Sequence, residues 1–137
     1  MERLFVDTSA WIAYTNRADP DHQQVKLWFA SFEGRLVTSN AIFSETVTLC
    51  LYRLGHQVAS QVGEVLREPG TVDLIRLLPE DEEQAWQLFL KRSDKTYSYT
   101  DCTSFVLMRK LGLRRAVALD ADFEREGFEV FPKSPKP

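Results

Sequence analysis

The sequence predicts a single α/β domain whose mostly parallel sheet is covered by helices on both faces. Two observations predict it. Short apolar runs suited to buried strands are separated by longer amphipathic stretches, which implies right-handed crossovers between neighbouring parallel strands. The chain also has the size and composition of one ordinary domain, with 137 residues, 44% hydrophobic and 27% charged, and shows no repeat, low-complexity tract or linker.

Leu4-Phe5-Val6 is the first strand, and Asp7 ends it. Thr8-Ser9 supplies caps for a short helix through Trp11, Ile12 and Tyr14. Pro20-Asp21 opens a second helix with Val25, Trp28, Phe29 and Phe32 on its apolar face, ended by Gly34. Leu36-Val37 is the second strand. Asn40 is the expected N-cap of a helix from Ala41 to Leu54, with Gly55 as its stop. A further helix runs from His56 to Arg67, before Pro69-Gly70 breaks it.

Val72-Asp73-Leu74-Ile75 alternates like a strand. Pro79 begins a helix whose first turn, Glu80-Asp81-Glu82-Glu83, complements the helix dipole, as Lys91-Arg92 does at the other end. Ser93 to Tyr99 is polar and reads as a loop. Thr100 is the expected cap of a helix from Asp101 to Leu111, closed by Gly112. Ala116 to Leu119 is a strand, Ala121 to Glu126 a helical turn, and Phe128 to Phe131 the last strand. The domain is expected over 1–131, with a flexible tail over 132–137.

A net charge of −3 argues against a protein that wraps nucleic acid by charge alone, yet leaves room for an enzyme whose acids hold a metal. No apolar run approaches the roughly 20 residues that span a bilayer. An acid as early as Glu2, with Asp7 behind it, does not fit a secretory signal. Two cysteines, Cys50 and Cys102, sit inside apolar helical patterns, so the expected setting is a reducing cytoplasm.

In open parallel sheets, ligands bind beyond the carboxyl ends of the strands. Asp7, Glu45, Asp101 and Asp120 all fall at that edge, with Asp122 two residues after Asp120. Each has an ordinary structural use: Asp7 and Asp101 as helix-start residues, Asp120 and Asp122 as turn formers, Glu45 in an ion pair. Together they make a group of like charges that a divalent cation would compensate. All-oxygen ligands favour Mg²⁺ or Mn²⁺; His22 and His56 are isolated and the cysteines lack the spacing for zinc. Such a cation suits phosphodiester hydrolysis. The six glycines form neither a Gly-x-Gly-x-x-Gly loop nor a P-loop, and there is no Gly-x-Ser-x-Gly elbow. An aspartyl-phosphate phosphatase or receiver-like domain would want a second acid two places after Asp7, where Ser9 stands.

Four segments in order carry a family resemblance: Phe5-Val6-Asp7-Thr8-Ser9-Ala10, Ser39 to Glu45, Tyr97 to Phe105, and Ala118-Leu119-Asp120-Ala121-Asp122-Phe123 with Gly127-Phe128 behind. The set resembles the PIN domain, and within it the VapC-like toxin ribonucleases of toxin–antitoxin pairs. The resemblance implies a five-stranded parallel sheet and metal-dependent cleavage of single-stranded RNA, leaving a 5′-phosphate and a 3′-hydroxyl. It implies metal binding by Asp7, Glu45, Asp101 and a fourth acid, Asp120 or Asp122, with Asp120 favoured because it leaves its strand first. It also implies a homodimer and a cognate antitoxin. Cys102 stands where the family usually has alanine and is read as packing.

Lys95 and Arg92, beside the loop leading to Asp101, are the expected phosphate contacts, and Tyr97 is an expected stacking surface for an unpaired base. Two other readings remain open: a PIN nuclease for RNA maturation or DNA ends, and a PIN-fold binding module that holds no metal.

Overall fold

The computed structural model describes residues 2–133. Chain order is β1 (Arg3–Val6), α1 (Thr8–Thr15), α2 (His22–Ser31), β2 (Arg35–Ser39), α3 (Asn40–Leu54), α4 (His56–Arg67), β3 (Val72–Ile75), α5 (Pro79–Lys91), α6 (Tyr99–Leu111), β4 (Arg115–Val117), α7 (Asp122–Arg125) and β5 (Glu129–Phe131). All five strands pair in parallel in the order β3-β2-β1-β4-β5. The chain leaves the central strand β1 for β2 on one side and later returns to β4 on the other. That reversal opens a crevice at the carboxyl ends of β1 and β4.

Burial on both faces explains the composition of β1. Leu4, Phe5 and Val6 are fully buried, which requires a continuous apolar run rather than an alternating one. Phe5 pairs with Val37 on one side and Ala116 on the other. Phe5, Phe105, Phe123 and Phe128 form an aromatic cluster, with Phe105 and Phe123 edge-to-face at 5.0 Å. The aromatic residues of the first two helices pack on each other, Trp11 on Phe29 at 5.7 Å and Trp28 on Phe32 at 5.0 Å. Cys50 and Cys102 are free and buried, both in the main core.

Several element ends differ from the sequence expectation. Ser39, not Asn40, caps α3: its hydroxyl accepts from the Ile42 N–H at 3.1 Å. Asn40 instead accepts from the Leu77 N–H at 2.8 Å, tying the start of α3 to the segment after β3. Ser98, not Thr100, caps α6. β4 stops at Val117 because the Leu119 N–H turns to the Ser9 hydroxyl at 3.0 Å. α2 starts at His22 and ends at Ser31, before Gly34. Gly34 serves another need, since a Cβ there would sit 2.5 Å from the Glu2 carbonyl oxygen. Of the expected tail, residues 134–137 lie outside the described residues; Lys133 pairs with Glu129 at 3.2 Å.

Candidate active site

Asp7 follows the central strand directly and starts α1. Its N–H continues the β1–β4 ladder by donating to the Val117 carbonyl at 2.9 Å, which fixes the backbone. Its carboxylate Oδ2 accepts from the Ser9 hydroxyl at 2.7 Å and the Ser9 N–H at 3.3 Å, an N-cap arrangement. The side chain is only 4% exposed. Burial pushes its pKa up to about 7, with the charges of Asp120 and Asp101 acting in the same direction and the Ser9 bonds opposing them.

Asp101 occupies the third position of α6 and is locked by a reciprocal capping box. The Ser98 N–H donates to Asp101 Oδ2 at 2.9 Å, and the Asp101 N–H donates to the Ser98 hydroxyl at 3.0 Å. Burial, then the Asp120 charge, push its pKa up to about 6 against the Ser98 bonds. Asp120, the most open of the three, is also shifted upward by desolvation, with the Asp122 N–H bond opposing and the Asp122 charge adding.

These three carboxylates and Glu45 line one cleft of about 430 Å³ at the crevice between β1 and β4. Glu45 is half-buried on α3, beside the fully buried Ile42, Thr46 and Cys50. Asp122 is placed differently: its carboxylate pairs with Arg125 at 2.7 Å and does not line the cleft. The acids drawn to this edge therefore come from positions as far apart as 7 and 120.

The donor set fits a hard divalent cation. Every candidate ligand is an oxygen, and the mutual repulsion of Asp7, Asp101 and Asp120 is relieved by positive charge. Thr8 lines the same cleft, and its Oγ1 is buried without a hydrogen-bond partner. Among the described residues, no three acidic, histidine or cysteine side chains already stand in chelating geometry.

The basic and aromatic residues expected to meet RNA are placed elsewhere. Arg92 donates to Glu126 at 3.0 and 3.3 Å, and the buried Tyr97 donates its hydroxyl to the same carboxylate at 3.1 Å. Arg109 completes this group at 3.0 Å. Arg92 and Tyr97 thus hold Glu126, and neither lines the acidic cleft. Lys95 pairs with its neighbour Asp94 at 2.8 Å and lies outside the cleft.

The cleft also holds residues that sequence reasoning did not select. Asp19 and Asp21 come from the loop between α1 and α2, where the Asp21 N–H donates to Asp19 Oδ1 at 2.8 Å. Arg53 comes from the last turn of α3. Its spacing of eight residues from Glu45, two steps of four along one helical face, was the signal available in the sequence.

An α/β domain with four carboxylates gathered in one crevice at its sheet reversal suits an enzyme that acts on phosphoryl groups with a metal ion. The PIN domain family model matches residues 4–129, and the chain belongs to that family. Its similarity runs to VapC-like members. It is 39% identical over 131 residues to the 23S rRNA-specific endonuclease VapC20 of Mycobacterium tuberculosis, covering 95% of this chain and 99% of that one. It is 31% identical over 119 residues to the ribonuclease VapC26 of the same organism, covering 85% and 86%. The crystal structure of VapC20, described as a sarcin–ricin loop cleaving toxin, superposes with a TM-score of 0.87 at 38% identity, over 91% of this chain and 95% of that one. FitAcB from Neisseria gonorrhoeae shares the fold, with a TM-score of 0.69 at 14% identity over 94% and 96% of the two chains.

Proposed function

We propose that this chain is a Mg²⁺- or Mn²⁺-dependent endoribonuclease and the toxin of a toxin–antitoxin pair. The observation that carries the reading is the convergence of Asp7, Glu45, Asp101 and Asp120 on one cleft at the sheet reversal. The 39% identity to a 23S rRNA endonuclease supports RNA as the substrate, and the description of its crystal structure as a sarcin–ricin loop cleaving toxin makes that loop the first sequence to try.

A divalent cation bound there supplies an activated water and stabilises the charge that develops on the phosphate. Asp7 and Asp101 would hold it most directly, with Glu45 and Asp120 completing the acid set. Ser9 fixes the Asp7 carboxylate, and Ser98 fixes that of Asp101, so both ligands are oriented before the ion arrives. Hydrolysis of the P–O3′ bond leaves a 5′-phosphate and a 3′-hydroxyl. Lys95 serves as an outer phosphate contact.

The partner is a cognate antitoxin, and a basic segment of it would suit the acidic cleft. Leu51 and Tyr52 on α3 and Val65 on α4 are exposed apolar side chains that suit a homodimer. The free, buried Cys50 and Cys102 suit a cytoplasmic setting. No helix of the described residues is long and apolar enough to cross a membrane.

The test incubates the purified chain with a mixed single-stranded RNA and a sarcin–ricin loop hairpin, in Mg²⁺ and in Mn²⁺, with Asp101→Asn purified identically. Cleavage by the wild type alone, stopped by EDTA, is expected. Both RNAs left intact by the wild type in both metals would overturn the reading.

A further inference from the structure

Glu45, Leu49 and Arg53 form a stripe along α3, and all three line the acidic cleft. Side chains four residues apart share a helical face, and eight residues advance about 12 Å along the axis. Glu45 stands among the metal-binding candidates, and Arg53 stands at the far end of the same wall. Arg53 is the one cation lining the cleft among the described residues.

The charge around it makes that placement informative. Arg92, Lys95, Arg109 and Lys110 each have a carboxylate within 3.0 Å. Arg53 is exposed and forms no ion pair among the described residues, although Asp19 and Asp21 line the same cleft. An anionic strand entering between acids is repelled, and a free guanidinium at the rim supplies attraction where the metal does not reach. The planar fork of an arginine also matches two phosphate oxygens at once.

We propose that Arg53 is a substrate-positioning residue that grips a phosphodiester next to the scissile one, which would lie against the metal that Asp7, Glu45, Asp101 and Asp120 would hold. The proposal rests on the nuclease reading. It assigns Glu45 and Arg53 opposite duties on one helical face, with Leu49 between them as an apolar seat for the intervening nucleotide. The competing explanation is purely structural: a cation in the last turn of α3 complements the helix dipole. That role changes thermal stability and leaves the salt dependence of RNA binding alone.

The experiment compares Arg53→Ala and Arg53→Lys in two settings. Binding of a fluorescein-labelled single-stranded RNA is measured across a salt series in the Asp101→Asn background. Cleavage kinetics are measured in the otherwise native chain with Mn²⁺. Arg53→Ala is expected to weaken binding about 5- to 10-fold at low salt and to reduce the slope of log K against log salt by roughly 0.7, the value of one phosphate contact on a single strand. It should raise KM several-fold with kcat little changed. Arg53→Lys should keep the slope, because the charge remains, and lose part of the affinity with the fork. RNA bound with an unchanged slope in Arg53→Ala overturns the assignment while the nuclease reading stands. No binding of RNA by the Asp101→Asn parent, together with no cleavage by the wild type, overturns both.

Discussion

The Ser9 hydroxyl donates to Asp7 Oδ2 across 2.7 Å and, through the same oxygen, accepts the Leu119 N–H at 3.0 Å. One side chain thereby joins the end of β1 to the segment that carries Asp120. Two acids 113 positions apart in the chain are set against each other by a single serine.

Ser9→Ala removes that bridge and leaves the Leu119 N–H without its partner. The expected cost is about 1 kcal/mol of stability, read from urea unfolding. Cleavage should fall on the order of 10-fold, with weaker apparent Mn²⁺ affinity, because the loss falls on orientation rather than on a ligand. Wild-type metal affinity in the variant would show that Ser9 serves the helix start alone.

Metal-free stability should depend on pH in a particular direction. Asp7, buried beside Asp120 and Asp101, has its pKa pushed up to about 7 from an ordinary 3.8. Between those values the folded chain binds more protons than the unfolded one, so stability falls as pH rises through that window. Asp101, pushed up to about 6, contributes with the same sign. In EDTA, Asp7→Asn should melt above the wild type near pH 8 and lose that advantage near pH 4. Parallel melting profiles for the two proteins would contradict the burial of a charged Asp7.

Metal should reverse this order. At a concentration about 100 times its Kd, Mn²⁺ binding to the folded state alone adds about 2.7 kcal/mol. The wild type should gain Tm with Mn²⁺, and Asp7→Asn should gain much less. Differential scanning fluorimetry of both proteins with and without Mn²⁺ checks it.

Asp120 and Asp122 are separable by substitution. Asp120 lines the cleft, whereas Asp122 pairs with Arg125. Asp120→Asn should lower cleavage by roughly 100-fold or more, in line with loss of a metal-facing group. Asp122→Asn should stay within a few-fold of wild type. Equal losses in a single-turnover assay would return Asp122 to the site.

Glu126 offers a test of the residues expected to contact RNA. Its side chain is 4% exposed and holds Arg92, Arg109 and Tyr97. Glu126→Ala takes the shared partner from two part-exposed guanidinium groups and from the buried Tyr97 hydroxyl, and should cost about 1–2 kcal/mol. Arg92→Ala should lower Tm while leaving the salt slope of RNA binding unchanged. A reduced slope would put Arg92 back among the phosphate contacts.

What the sequence made legible follows from how local each signal is. Leu4-Phe5-Val6 followed by Asp7 announces a buried strand and its edge within four residues, and the five-stranded parallel sheet followed from such runs together with the family resemblance. Caps were less legible because Ser39 and Asn40, like Ser98 and Thr100, are adjacent and equally able to cap. In the first pair, the distant Leu77 N–H takes Asn40 and leaves Ser39 to the helix. Arg92 and Tyr97 lie next to a candidate acid in sequence, yet their partner Glu126 is 34 and 29 residues away. Arg53 went unnoticed for the converse reason, since only the folded cleft shows which cations remain unpaired there.

The sheet order has a consequence for the chain during its own synthesis. Asp7, Glu45 and Asp101 are translated before β4, the strand that carries the chain to Asp120 and whose Val117 carbonyl fixes the Asp7 backbone. At roughly 5–20 residues per second, Asp7 is made about 5 to 20 seconds before the strand that sets these acids against one another, and Asp101 about 1 to 3 seconds before it. A nascent chain therefore holds most of the acidic ligands without the geometry that makes them useful. Such a cutter of RNA would be harmless to the ribosome that is making it until β4 emerges.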